Sequence, residues 1–369
     1  MNTTPIQRVL ATLLAALIAL ACVNTTYSRK DEKRITNDTA NLILGQFAHH
    51  GDAFYKSELT RTEKILAEKP ENLDALNDKA VALLKLKRYD ESEKLFLEID
   101  KKFPNVYKVN SNMGVLYKKM ERFEEAAVKI QKALTIKPGG HMGLGDYYLQ
   151  MLKWRAENKK QLAANPDYVP EKNFLGVAYK DGEVATVNSK AVNKTYLITL
   201  VKNDMNFSDT YIVLGDLYFA RKEMQMAVRC YFRAMNFEDL NQEVAYKRYR
   251  KVIKYWHQNK ESGYVVDSKS LPQHLRQELE SAEQWLKDFK ELEASEIAAG
   301  NSATFASLLS KANAKPALIE VGYYEGTSSR NGGGAIIFTL AIMAVGALLI
   351  IVIGGKVVKY FLNKDPKTA

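Results

Sequence analysis

The chain has 369 residues, of which 46% are hydrophobic and 26% charged, with only 9 prolines. This profile excludes a collagen-like, mucin-like or wholly disordered chain and suits a helix-rich fold. Lys plus Arg is 53 against 43 for Asp plus Glu, and the resulting net charge of +10 is too small to mark a nucleic-acid binder.

Residues 1–21 read as a secretory signal. Arg8 supplies a positive start, and Val9 to Leu20 carries no charge. That run is too short to span a bilayer comfortably, which takes about 20 residues as a helix. Ala19-Leu20-Ala21 supplies the small-x-small cleavage pattern. Cys22 follows directly, in the place where bacterial lipoprotein signals carry a lipidated cysteine, although Ala19 stands where that motif has leucine. Cys22 is therefore the candidate lipidation site, and 22–38 is a linker. Cys22 and Cys230 are the only cysteines, which excludes a disulfide framework.

A short pattern then recurs. Met113-Gly114 precedes Tyr117, Leu144-Gly145 precedes Tyr148, Leu175-Gly176 precedes Tyr179, and Leu214-Gly215 precedes Tyr218; Ala80 with Leu83 is a weaker copy. Pro70, Pro104 and Pro138 punctuate the first copies at intervals of 34 residues. A fixed period of this size implies stacked supersecondary units rather than one globular core. In the late copy, Tyr211, Leu214, Gly215 and Tyr218 share one helical face. A turn at Arg221-Lys222-Glu223 follows, and Ala227, Tyr231 and Ala234 mark a second helix. Glycine at the crossing lets the two helices approach closely.

These residues resemble the tetratricopeptide repeat family over roughly 39–260. Units 73–104, 107–138 and 208–239 are the specific matches. The unit near Leu144 to Pro166 is short, and the next, at Leu175-Gly176 and Tyr179, carries an insertion near 181–193 that reads as a loop or small hairpin. The resemblance implies an all-α solenoid of antiparallel helix pairs in a right-handed superhelix. Its concave face, lined by the first helix of each pair, would grip a peptide or partner protein. Faces pointing away from the packing stripe then define a candidate groove: Asn77, Val81, Leu84 and Lys85; Lys108, Ser111, Val115, Lys118 and Lys119; and Asp209, Ile212, Asp216 and Phe219. The early groove reads as basic, suited to an acidic peptide, and the late groove as acidic with aromatic character. Family members that clamp a chaperone's C-terminal carboxylate use a lysine and asparagines at set positions; only Asn112 fits, so that clamp is not assigned.

Val244 to Lys260 reads as a helix with Ala245, Tyr249, Val252 and Trp256 on one face and Lys247, Lys251 and Lys254 on the other, beside Arg248 and Arg250. A long amphipathic helix within 261–299 follows. Its stripe of Leu275, Leu279, Ala282, Leu286, Phe289 and Leu292 must be buried against the last repeat or, through 272–297, against a second copy. Residues 300–334 read as a stalk. From Asn331 to Gly355 there is no charge, and 335–355 has the length of a transmembrane helix. Lys356, Lys359, Lys364 and Lys367 follow in a basic tail, 356–369, which the positive-inside rule places in the cytoplasm. The bulk of the chain would then be extracytoplasmic.

No phosphate loop, nucleophile elbow or metal-ligand spacing is present in the sequence. No enzyme, cofactor or metal is expected. The favoured function is a membrane-anchored scaffold for protein–protein contact. A binding module for an anionic polymer or lipid surface, using the Lys247–Lys254 helix, and an accessory subunit of a membrane complex are the alternatives.

Overall fold

The computed structural model describes residues 39–140, 144–179, 192–237, 240–258, 264–265, 268–319 and 323–324. The signal, Cys22, the linker, most of the 181–193 insertion, the 335–355 span and the tail lie outside the described residues. No helix among the described residues is long and apolar enough to cross a membrane. The described residues form two units. One is a helical array, and the other is a two-stranded antiparallel ribbon in which Tyr264–Val265 (β1) pairs with Tyr323–Tyr324 (β2).

The array begins with α1 (Thr39–Leu44) and α2 (Asp52–Glu68), followed by α3 (Leu73–Lys85) and α4 (Tyr89–Lys102), then α5 (Tyr107–Lys119) and α6 (Phe123–Ile136). Next come α7 (Leu144–Ala164), α8 (Lys194–Asn203), α9 (Ser208–Ala220), α10 (Met224–Met235) and α11 (Gln242–Gln258). Two further helices, α12 (Leu271–Ala298) and α13 (Phe305–Lys311), close the array. Consecutive helix pairs of this kind are consistent with a repeat solenoid.

One turn recurs within the three pairs α3–α4, α5–α6 and α9–α10. Lys87, Glu121 and Lys222 sit in the left-handed region with φ of 62°, 57° and 61°. The next residue's amide reaches five residues back: Arg88 N to Leu83 O, Arg122 N to Tyr117 O and Glu223 N to Tyr218 O, each at 2.9 Å. This is the Schellman arrangement, which satisfies the last helical carbonyls and turns the chain sharply. The second helix then folds back on the first. At the crossing, a Cβ on Gly114 would lie 2.6 Å from Ile130 Cδ1, and one on Gly215 would strike the ring of Tyr231. In the first pair the fully buried Ala80 takes that place, and Ser92 Oγ donates to its carbonyl at 2.8 Å.

The third glycine motif is not a helix. Pro170 precedes it, and Asn173 Oδ1 accepts from the amides of Leu175 and Val177 at 3.0 and 2.9 Å. Gly176 has φ +79°. The side chain of Asn173 supplies what a helical carbonyl would, so Leu175-Gly176 becomes a tight turn closed by a bridge between Lys172 and Ala178. The unit expected to be short holds a single helix within Leu144 to Pro166, α7, which runs for 21 residues. α8 takes the place of its partner, packing against both α7 and α9. The Asn193 side chain starts α8 by accepting from the amides of Thr195 and Tyr196.

The array's beginning and end are tied together. α1 packs against α8, α10 and α12, and α12 packs against α1, α2, α10 and α13. Near its start, α12 presents Glu278, whose two oxygens accept from Arg229 Nε and Nη2 at 2.8 and 2.7 Å. The same Arg229 donates to Ile319 O at 2.8 Å, and Ile319 N donates to Glu278 at 2.7 Å. Near its end, Glu293 accepts from His50 Nδ1 at 2.5 Å and from Gly51 N at 2.7 Å. The His50 ring lies between Phe54 and Phe305, with centroids 3.6 and 4.1 Å away. Glu278 and Glu293 are about 22 Å apart along a helix of 1.5 Å rise, so α12 bridges α10 to α2.

Two expectations are corrected by this closure. The stripe offered for a two-chain coil within 272–297 is taken up by the chain's own helices, with Leu275, Leu279, Ala282 and Phe289 all buried. The stalk does not begin at 300: Phe305 and Leu308 have no exposed surface and pack on Ala48, Trp285 and Phe289. A pair of apolar residues three apart is enough to dock one short helix in an otherwise Ser- and Ala-rich segment.

Gly114→Ala and Gly215→Ala should each lower stability by about 1–3 kcal/mol through overpacking, read as a fall in the thermal unfolding midpoint. Glu278→Ala should cost about 3–5 kcal/mol because it strands a buried guanidinium. Replacing both partners, Arg229→Met with Glu278→Leu, should recover most of that loss in urea unfolding.

Candidate functional site

The structure redraws the groove inferred from sequence. Asn77, Val81, Leu84, Ser111, Val115, Lys118, Asp209, Ile212 and Asp216 are all buried. Buried side chains at these positions line no open groove. Asn77 Oδ1 accepts from Asn112 Nδ2 at 2.9 Å, joining α3 to α5. Ser111 and Val115 face a small apolar pocket with Tyr107, Leu134 and Tyr148. Of the rest, Lys85 is half-buried with its Nζ 5.7 Å from the Tyr55 ring, and Lys108 is ion-paired with Asp74. Phe219 packs on Tyr255, and Lys119 is exposed.

The two expected charge zones are internal. Lys118 lies 2.8 Å from Asp204, which also meets Arg155 at 3.5 Å. Burial outweighs the pull of Asp204 on Lys118 and lowers the ammonium to about 8. Burial pushes Asp204 upward, but Lys118 and Arg155 together overcome it and hold the carboxyl at about 2. On α9, Asp209 accepts from Phe174 N at 2.7 Å and is bonded to Tyr179 and Asn241. Asp216 accepts from Tyr231 Oη at 2.6 Å and pairs with Arg248 at 2.9 Å. Burial lifts Asp216 to about 6 against the pull of Arg248, and raises the Tyr231 hydroxyl well above its ordinary value. The late acidic residues therefore hold α9, α10, α11 and the 173–179 turn together.

An open space lies elsewhere. The second half of α7 borders an open cleft of about 850 Å³. Trp154, Arg155 and Leu162 form one wall, Phe123 lies at the start of α6, and Asn206, Phe237 and Leu240 come from the loops before α9 and α11. Arg155 carries its guanidinium 4.7 Å from the Phe207 ring and 5.6 Å from Phe123. Lys159 sits 5.5 Å from Phe123 and donates to Glu121 O at 2.9 Å. Trp154 Nε1 donates to Lys172 O at 2.7 Å, which fixes its ring between this cleft and a second one bordered by Tyr168 and Glu171. The cleft thus combines apolar side chains with an edge of amide and charged groups, the Glu121 carboxylate beside Lys159 among them, a composition that suits a recognition site. The repeat motif does not point to it. The sequence signal was an unbroken 21-residue helix in place of the usual 13, with a tryptophan between Lys153 and Arg155.

Among the described residues, no three His, Cys, Asp or Glu side chains gather as a metal site. Cys230 is fully buried, and burial pushes its thiol upward, away from the reactive thiolate.

Asp204 titrates lower in the fold than its ordinary value of 3.8, so its ionised form stabilises the fold above about pH 4, and this contribution disappears as pH falls towards 2. Asp204→Asn should therefore be less stable than the parent at neutral pH, and the gap should narrow between pH 4 and 2 in denaturant unfolding followed by circular dichroism.

Residues 107–139, which contain α5 and α6, match the family model of the tetratricopeptide repeat. Searches among curated proteins and among solved structures give no match. The pairs α3–α4 and α9–α10 share the Schellman turn and small-residue crossing of α5–α6, so the match supports helical repeats of the tetratricopeptide type.

Proposed function

We propose that the chain is a membrane-anchored, extracytoplasmic scaffold that holds a protein or peptide partner and performs no catalysis itself. Repeats of this family generally mediate protein partner binding, and residues 107–139 carry the family match. The observation that carries the reading is the cleft along α7, which keeps Trp154, Phe237 and Leu240 at an open surface while most of the array's large aromatic side chains, Tyr148, Tyr211, Tyr218 and Tyr231 among them, are buried in packing. Large aromatics beside a guanidinium are the residue types on which interface energy concentrates. The address is supported by the sequence: a signal-like start, the uncharged run from Asn331 to Gly355 and the lysines after it. The partner would occupy the α7 cleft, not the buried first-helix faces.

A photo-crosslinking residue at Leu162, in the full chain in native membranes, should give one adduct of defined mass, and the same residue at exposed Gln131 on α6 should give none. Trp154→Ala should reduce the Leu162 adduct about tenfold or more. Equal crosslinking from both positions would sink the reading.

A further inference from the structure

The exposed face of α11 is the strongest unassigned surface feature. Its inner face is spent on the fold: Ala245, Arg248, Tyr249, Val252 and Trp256 are buried, and the Arg248 charge is taken up by Asp216 at 2.9 Å. The outer face keeps Lys247, Arg250 and Lys254 exposed and Lys251 half-exposed. At 3.6 residues per turn these four cations fall within roughly 100° of the helix circumference and about 11 Å of its length. One carboxylate lies on this face: Glu243, 3.8 Å from Lys247 at the helix start. Tyr246 borders the row, 41% exposed, with Arg250 Nη1 donating to its hydroxyl at 3.2 Å.

We propose that this face docks on an anionic phospholipid surface. Basic residues interleaved with aromatics would also suit a nucleic-acid strand, but that mode needs aromatic faces on which bases stack. Here Tyr249 and Trp256 are buried and Tyr255 packs against Phe219. What remains is a straight row of charge with one tyrosine at its edge, and tyrosine favours the membrane–water boundary, where its ring and hydroxyl meet different media. A row of four cations gains about 1 kcal/mol per cation beside an anionic leaflet. Chain continuity favours the same occupant. Six residues after α11 ends at Gln258, β1 begins at Tyr264 and pairs with β2, and β2 ends at Tyr324, eleven residues before Ala335, where the apolar run starts. The inference goes beyond the scaffold reading and rests on its membrane anchor only for this last point.

The test uses the full chain reconstituted in vesicles of phosphatidylcholine alone or mixed with phosphatidylglycerol. Lysine acetylation rates are read by mass spectrometry. Lys247, Lys251 and Lys254 should react about tenfold more slowly on the anionic vesicles, and Lys69 and Lys101 should be unchanged. About 1 M salt, where the Debye length is about 3 Å, should abolish the difference. In the variant Lys247→Gln, Arg250→Gln, Lys254→Gln, the remaining Lys251 should lose its protection. Equal rates on the two vesicle types, or protection by an oligonucleotide and not by vesicles, would overturn the proposal. Alkaline extraction of the same samples tests the anchor separately: a chain that washes out yet is still protected defeats the anchor and keeps the docking face.

Discussion

A helix pair has apolar surface on two sides, and its neighbour in a stack covers only one. The packing of the helical array depends on how the uncovered surfaces at the two ends of the stack are closed. Here one helix does most of that work. α12 carries a carboxylate near each end of its buried face, and the two carboxylates meet partners at opposite ends of the array, Arg229 on α10 and His50 before α2. Both contacts are deeply buried, so each is specific: a shift of α12 by one turn would strand charge in the interior. The aromatic stack of Phe54, His50 and Phe305 fills the space beside the second contact. The array is thereby a closed core rather than an open spring.

Closure changes what the charges do. In an open array, lysines and aspartates on first helices face solvent and are available to a ligand. In this one, Lys118 and Asp216 have their counter-charges in other helices of the same chain, at Asp204 and Arg248. Each pair is the bond that positions an irregular element: Asp204 ends α8, and Arg248 seats α11. On the proposed reading, recognition falls to surfaces that closure does not consume. These are the cleft beside the overlong α7 and the cationic outer face of α11, one aromatic and amide-lined, the other nearly pure charge.

The helix pairs themselves were legible because their determinants are local. Gly114 facing Ile130, and Gly215 facing Tyr231, are contacts within one repeat, so their spacing repeats along the chain. The same logic misled at Leu175-Gly176, where the motif letters are present but Asn173 and the preceding proline favour a turn. The tyrosines were also readable as packing residues: Tyr148, Tyr211, Tyr218 and Tyr231 are among the largest fully buried side chains. The candidate groove was not readable. Pattern reasoning identifies which face of a helix avoids its own partner, but whether that face meets water depends on residues far away in sequence.

By itself, then, the sequence determined an all-helical repeat chain with its turns, its small-residue crossings and its amphipathic closing helix. These are set by spacings of three, four and 34 residues, which a chain carries wherever it folds. Only the tertiary structure decided which polar residues are exposed. Contacts distant in sequence decide this: Lys118 with Asp204 joins positions 86 residues apart, and Arg229 with Glu278 and His50 with Glu293 join positions 49 and 243 apart. No local period encodes such a pairing, because it exists only once the array has brought its two ends to the same helix.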